Sequence, residues 1–201
     1  MLLAIGDHLD KIAAAWHKGT ESIVELATAC CEANAALDPF ERKTLLRLCD
    51  ISAWRSVAGL TLNLKQSIRT PLGGFVMVDE FAAKAAFKRH MNALNRRIYR
   101  SAYRHHNKRL SVIPILESSD GGRWHYHLAV EPPAFMTADQ FTELATLLWL
   151  DSELGYGHGQ ADPNVDQGWL IYITKLRTKN AFEHYLDCLD VDALHNPVAS
   201  A

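Results

Sequence analysis

The chain has 201 residues, of which 48% are hydrophobic and 22% charged, and its formal net charge is −2. These values are typical of an ordinary globular protein with one good-sized core. No apolar run reaches the roughly 18 residues of a membrane span, and the opening MLLAIGDHLD lacks the basic start of a signal peptide. We therefore expect a cytoplasmic protein without a membrane partner, whose four cysteines, lacking metal or disulfide spacing, are reduced thiols.

The pattern of hydrophobic residues predicts an α+β protein in three parts: helices over 1–52, one mixed domain over 53–190 and a tail over 191–201. The domain elements alternate as strand, helix, strand, strand, helix, strand and helix. In chain order they are VAGLTLNLKQ, residues 79–106, LSVIPILE, RWHYHLAVE, a helix after a capping box of Thr137 and Gln140, ELGYGHGQ and GWLIYITKLRTKNAFEHYL. One hairpin and two crossovers predict a ferredoxin-like split βαβ antiparallel sheet with an added C-terminal helix.

Two histidines stand one residue apart in the strand RWHYHLAVE. Because residues two apart on a strand point to the same face, His125 and His127 project together, and two neutral imidazoles can bind one divalent cation. Glu117 precedes His125 by eight residues, so the predicted hairpin brings its carboxylate beside them. Such a site leaves positions open for water or a phosphate oxygen. Alternatively, the histidines are structural and Glu117 is a solvated residue at the hairpin edge.

The last predicted helix carries the segment YITK. Tyr172, Lys175 and Lys179 fall on one helical face, next to a stripe that we expect to be buried. A tyrosine hydroxyl can act as a nucleophile and form a covalent intermediate. A nearby ammonium or metal ion would offset its weak reactivity at neutral pH. Packing alone explains most helical tyrosines, so the segment by itself says little about function.

A basic belt extends from Lys84 to Arg109, with nine Lys or Arg residues and no Asp or Glu. A solvated helix face would usually interleave acidic residues, so nucleic acid is the favoured partner. The residues that we expect to contact its backbone are Arg89, Arg96, Arg97, Arg100 and Arg104, with Lys179 on the last helix.

Three segments together resemble the motifs of the HUH endonuclease superfamily, which includes rolling-circle replication initiators, plasmid relaxases and related transposases. LTLNLKQ is similar to the first strand motif, HYHLAVEPP to the histidine motif and YITK to the tyrosine motif, in the family's order over about residues 55–185. The resemblance implies that Glu117, His125 and His127 hold Mg²⁺ or Mn²⁺. It also implies that Tyr172 attacks single-stranded DNA, leaving a 5′-phosphotyrosyl link and a free 3′-hydroxyl, and that Lys175 matches the lysine following the nucleophile.

The resemblance implies a single-tyrosine nickase and ligase of a plasmid, phage or other mobile element, acting on an origin or hairpin, with host replication proteins as candidate partners. Two alternatives stay open. One is a Rep-like nucleic-acid-binding protein without cleavage, and the other is a metal-dependent phosphohydrolase, which would need neither the basic belt nor the tyrosine. Asn63 and Lys65 replace hydroxyl residues that many relatives carry, so the first motif is assigned no catalytic role. His158 is a candidate extra ligand, although a structural role is favoured.

Overall fold

The computed structural model describes residues 48–118, 123–157, 159–173, 189–190 and 192–195. Its elements are β1 (Ala58–Asn63), β2 (Ser67–Arg69), β3 (Phe75–Met77), α1 (Glu80–Tyr99), α2 (Ser101–His106), β4 (Val112–Ser118), β5 (Trp124–Val130), α3 (Ala138–Leu150), β6 (Gln160–Asp162) and α4 (Gln167–Ile173). Four strands form a sheet in the order β4-β5-β1-β6, and each neighbouring pair is antiparallel. The α+β class is confirmed. Most of the predicted N-terminal helical segment lies outside the described residues.

The sheet separates two hydrophobic clusters. Alternation along β1 directs Leu60 and Leu62 to one face, where they pack with Tyr126 against helices α1 and α3. The ring of Phe87 in α1 stacks on Tyr126 with the two centroids 4.1 Å apart. We call this side the α1 face and the opposite side the α4 face. The second cluster lies on the α4 face and consists of Cys49, Ile51, Trp54, Ile113, Ile115, Ala129, Leu170, Ile173 and Leu189.

Side-chain caps fix the starts of the two long helices. The carboxylate of Asp79 accepts a hydrogen bond from the N–H of Ala82 at 2.7 Å, at the start of α1. The predicted capping box of α3 is confirmed, because Thr137 and Gln140 each bond the backbone N–H of the other. In the described part of the chain, no helix combines the length and apolar character needed to cross a bilayer.

The prediction of one continuous helix over 79–106 is wrong at Arg100. This residue has a φ of 49°, and the chain turns there from α1 into α2. In a straight helix Tyr103 would lie about 16 Å along the axis from Asn92. Instead, the Tyr103 hydroxyl donates to Oδ1 of Asn92 at 2.8 Å. The break therefore folds α2 back along α1, which returns the chain toward the start of β4.

The flanks of β1 also differ from the prediction. The segment TPLGG, predicted as a simple turn, forms the tip of a short hairpin of β2 and β3, with Gly73 at a φ of 87° that glycine adopts without steric penalty. The strand predicted over ELGYGHGQ is displaced. Gly155 forms a bridge to Leu64, and regular pairing with β1 starts at Gln160. The N–H of Gly155 bonds the carbonyl of Ser152, so a turn over 152–155 ends at this bridge, and the N–H of the next residue, Tyr156, already bonds β1 at the carbonyl of Asn63.

The last described residues lie along the free edge of β4. The N–H of Val112 donates to the carbonyl of His195 at 2.7 Å, and the N–H of Asp190 donates to the carbonyl of Pro114 at 3.1 Å. Asp190 also accepts a hydrogen bond from the Tyr126 hydroxyl at 2.7 Å, and burial raises the pKa of this carboxyl group. Chain beyond the predicted domain end at residue 190 thus covers the sheet edge.

Candidate active site

Glu117, His125 and His127 come together on the α4 face. Strands β4 and β5 are paired so that Glu117 lies directly opposite His125, and His127 is two residues further along β5, on the same face. One nitrogen from each imidazole and one carboxylate oxygen lie within 4.8 Å of one another. The structure therefore brings together the three side chains that the sequence predicts as ligands, and we call them the triad.

The distances within the triad suit donors arranged around one cation. Oε2 of Glu117 lies 3.5 Å from Nε2 of His125 and 3.8 Å from Nε2 of His127. Both distances exceed that of a well-formed hydrogen bond. Donors bound at about 2.1 Å to one ion lie roughly 3 Å apart when adjacent and roughly 4 Å apart when opposite. The two distances from Glu117 fall in this range and all three donors lie within 4.8 Å of one another, so the triad can hold a metal ion.

The triad lies at the boundary between the interior and solvent. Glu117 and His127 each expose 6% of their surface, whereas His125 is half-buried. A carboxylate removed from water is destabilised unless hydrogen bonds or a cation compensate its charge. Because His125 reaches the surface, an ion held by the triad would be accessible to a ligand from solvent.

Strand β1 supplies a partner of the triad that the sequence analysis did not identify. Thr61 is paired with His127, and its Oγ1 lies 2.9 Å from Nδ1 of that histidine. When Nδ1–H donates to this hydroxyl, Nε2 keeps the lone pair that a metal-binding histidine needs. The sequence carried a signal for this position, because the leucines of LTLNLKQ alternate with Thr61 and leave it on the opposite face of the strand.

Helix α4 brings Tyr172 to the triad. Its ring centroid lies 5.7 Å from that of His127, and its side chain is 53% exposed. Trp169 packs against both rings, edge-on to His127 and stacked at 28° on Tyr172. The indole N–H of Trp169 donates to the carbonyl of Leu128 at 2.8 Å, which fixes it on β5. The predicted nucleophile therefore lies beside the predicted ligands, supported by Trp169 and open to solvent.

The close approach of α4 to the sheet depends on Gly59 in β1. A Cβ atom at this position would lie 2.7 Å from Cγ1 of Val165 and 2.9 Å from Cε2 of Trp169. Carbon atoms in contact prefer separations of about 3.5–4.0 Å, so neither neighbour could stay where it is. The missing side chain allows Trp169 to lie directly on the strand, next to His127.

The basic belt and the triad lie on different faces of the sheet. Helix α1 packs through Phe87 on the α1 face. Its C-terminal end lies at the start of β4, where Oδ1 of Asn95 accepts from the N–H of Leu110, whereas Glu117 is near the end of that strand. The predicted DNA-contacting residues on these helices are all exposed: Arg89, Arg96, Arg97, Arg100 and Arg104. The structure does not bring them to the triad, and their contact with nucleic acid stays a prediction.

The remaining predicted site residues, Lys175, Lys179 and His158, lie outside the described residues. What the described part of the chain offers is a buried triad that can hold a cation, a threonine that orients one of its histidines, and an exposed tyrosine next to it. The chain matches no protein-family model, no curated protein and no solved structure.

Proposed function

We propose that this chain is a metal-dependent endonuclease and strand transferase of single-stranded DNA that acts through Tyr172. One juxtaposition carries the proposal: the Tyr172 ring lies 5.7 Å from His127, which belongs to a triad suited to a cation. A phosphodiester drawn to such a cation would lie next to the phenol. Rolling-circle replication, or a related process of a mobile element, is the setting that we infer.

Glu117, His125 and His127 would hold the cation, Mg²⁺ or Mn²⁺. When bound, this ion would withdraw charge from an oxygen of the scissile phosphate. The carboxylate of Glu117 would supply an oxygen donor of the kind that Mg²⁺ and Mn²⁺ accept. Thr61 would keep His127 in the tautomer whose Nε2 faces the ion.

Tyr172 would supply the nucleophile. Its oxygen forms a bond to phosphorus while the phenolic proton passes to solvent, and the bond from phosphorus to the 3′ oxygen breaks. The 3′ oxygen takes up a proton and leaves as a hydroxyl, so the protein keeps a 5′-phosphotyrosyl link. Stacking on Trp169 restricts the ring, which favours in-line attack. Because the link conserves the phosphodiester bond energy, the reverse step can rejoin the strand.

The arrangement of the sheet supports the same proposal. Strand order β4-β5-β1-β6, with α1 and α3 in the connections, fits a ferredoxin-like split βαβ arrangement. In the HUH superfamily, which the sequence resembles, a central strand of such a sheet presents the histidines. Here β5 is an inner strand and carries both His125 and His127. We therefore infer an HUH-like domain to which the β2–β3 hairpin and α2 have been added.

The nucleophile is tested by covalent trapping. The full chain is incubated with Mn²⁺ and a pool of 3′-labelled single-stranded oligonucleotides, and the products are separated on a denaturing gel. We expect labelled protein for the wild type and none for Tyr172→Phe, which lacks the attacking oxygen. Tyr99→Phe, at the far end of α1, is the matched control and should give the wild-type yield. An undiminished adduct in Tyr172→Phe would remove the nucleophile assignment.

The triad is tested by titrating Mn²⁺ into metal-free protein and measuring the heat of binding. We expect one ion per chain, and at least a 100-fold loss of affinity when His125→Ala is combined with His127→Ala, because two of three donors are gone. The double variant should also form no DNA adduct. His105→Ala, an exposed histidine of α2, is the control. Retained Mn²⁺ affinity in the double variant would show that the ion binds elsewhere.

Two outcomes of these experiments would favour the alternatives. If Tyr172→Phe still cleaves and releases an unattached 5′ end, water is the nucleophile and the chain is a metal-dependent phosphohydrolase. If the wild type binds Mn²⁺ and single-stranded DNA but forms neither adduct nor cleavage product, the chain is a nucleic-acid-binding protein of this fold.

A further inference from the structure

Tyr156 is an exposed aromatic residue at the end of the sheet that carries the triad. Its side chain is 38% exposed, and the guanidinium carbon of Arg123 lies 5.0 Å from its ring centroid. Arg123 is itself exposed. The pair therefore presents a flat aromatic ring and a delocalised positive charge to solvent. The chemistry proposed for Tyr172 uses neither residue.

Backbone contacts tie this pair to the metal ligands. The N–H of Tyr156 donates to the carbonyl of Asn63 at 3.0 Å, and Asn63 is paired with His125. Arg123 precedes His125 by two residues, and its carbonyl oxygen lies 3.4 Å from Nδ1 of that histidine. Neighbouring strands are about 4.8 Å apart, so Tyr156 lies roughly two strand spacings, about 10 Å, from His125.

Both residues also belong to the α4 face, where the triad and Tyr172 lie. Gly155 pairs with Leu64, whose side chain is in the cluster of the α1 face, so the next residue, Tyr156, points the other way. Arg123 shares the alternation of His125. A second cation is close by, because Nζ of Lys65 donates to the carbonyl of Glu153, three residues before Tyr156.

We propose that Tyr156 and Arg123 hold a nucleotide that neighbours the scissile phosphate, with its base stacked on the tyrosine ring and its phosphate paired with the guanidinium. This subsite rests on the proposed function, which makes a DNA strand the ligand of this face. Stacking needs only the π face of a base and so accepts all four bases. A base inside a duplex is already stacked and paired, and leaving the helix is unfavourable. The subsite therefore favours single-stranded over duplex DNA and does not discriminate between bases.

Photo-crosslinking tests the subsite. The protein, carrying Tyr172→Phe so that no covalent adduct forms, is irradiated with a dT 12-mer containing 5-iododeoxyuridine, and the crosslinked peptide is identified by mass spectrometry. We expect the peptide that contains Tyr156. We also expect Tyr156→Leu to lose this crosslink and to bind the 12-mer at least about 5-fold more weakly, with no change for a duplex of the same length. Tyr156→Phe keeps the ring and should keep the affinity.

Further variants distinguish a loss of base stacking from misfolding and from a general loss of positive charge. Phe135→Leu removes an aromatic side chain that is 64% exposed and lies beside Tyr99, at the far end of α1, and should leave crosslink and affinity unchanged. Arg123→Gln should weaken binding of the 12-mer. It should also lower the slope of log affinity against log salt by about 0.7, the value expected for one lost phosphate contact. Each variant should retain wild-type Mn²⁺ affinity, which reports an intact triad.

The outcomes also separate this subsite from the proposed nuclease. If the wild type forms the Tyr172 adduct while Tyr156→Leu and Arg123→Gln bind the 12-mer as tightly as their parent, the subsite is overturned and the nuclease stands. If the wild type forms no adduct but the crosslink still falls on Tyr156, the subsite stands and the nuclease is overturned. A crosslink confined to other residues overturns the subsite in either case.

Discussion

Thr61 contacts the ring nitrogen of His127 that points away from Glu117, with Oγ1 and Nδ1 2.9 Å apart. Removing this hydroxyl frees the imidazole to rotate or to adopt the tautomer that cannot bind metal through Nε2. We expect Thr61→Val to lower the Mn²⁺ affinity roughly 10- to 100-fold, as is typical for partners of ligating histidines. Calorimetric titration measures this, and Thr61→Ser, which keeps the hydroxyl, should bind like the wild type. Equal affinity in Thr61→Val and wild type would rule out the orienting role.

His90 in α1 is a second histidine whose surroundings decide its protonation. It is buried and lies edge-on to Trp149, and neither ring nitrogen has a hydrogen-bond partner among the described residues. Burial lowers the pKa of His90 from 6.5 to about 4. The unfolded state therefore takes up a proton at a higher pH than the folded state does. The free energy of unfolding therefore falls by about 3 kcal/mol as the pH is lowered from above 6.5 toward 4.

The substitution His90→Leu tests this pH dependence, because leucine fills much of the same space and cannot be protonated. Urea unfolding of both proteins is measured from pH 7.5 down to pH 4. We expect the free energy of unfolding of the wild type to fall more steeply over this range than that of the variant, by about 3 kcal/mol in total. Parallel curves for the two proteins would mean that His90 does not contribute to the acid sensitivity.

At the scale of elements, the contact of α4 with the sheet decides whether Tyr172 faces the triad. Gly59→Ala places a methyl group 2.7 Å from Val165 and 2.9 Å from Trp169, so α4 must shift outward. We expect a large loss of the rate of adduct formation with nearly wild-type Mn²⁺ affinity, because Glu117 and the histidines lie on β4 and β5. Gly157→Ala, whose methyl group would meet no atom of the described residues within 4 Å, is the control. Wild-type adduct rates in Gly59→Ala would contradict this dependence on close packing.

The elements also show why sequence patterns predicted some features and missed others. The hairpin that joins Glu117 to His125 depends on local alternation and an eight-residue spacing, and these are visible in the sequence. The break at Arg100 is accompanied by a contact of Tyr103 with Asn92, and no hydrophobic periodicity encodes such a contact. The contact of Thr61 with His127 joins residues 66 positions apart, so it required the pairing of β1 with β5. Alternation assigns a residue to a face, but the strand order decides its neighbours.

At the scale of the whole molecule, the basic belt and the candidate active site lie on opposite sides of one sheet. The net charge of −2 conceals the basic belt, which follows α1 and α2 and ends at Arg109, while the triad, Tyr156 and Tyr172 belong to the α4 face. A DNA strand bound at the triad would have to pass around the edge of the sheet to reach the basic belt. Otherwise the belt would bind another segment of the same DNA. Either route separates overall affinity, which follows charge, from the chemical step, which depends on the triad and α4.

This separation predicts the behaviour of a variant that combines Arg96→Gln, Arg97→Gln and Arg100→Gln. Each lost contact with single-stranded DNA lowers the slope of log affinity against log salt by about 0.7, so we expect weaker binding and a slope reduced by up to about 2. At saturating DNA the rate of adduct formation should equal that of the wild type, because the belt and the triad lie on different faces of the sheet. Arg69→Gln, on the exposed β2–β3 hairpin, controls for the loss of a single positive charge. An unchanged salt slope would remove the belt from the DNA contact, and a slower chemical step at saturation would mean that the two faces are coupled.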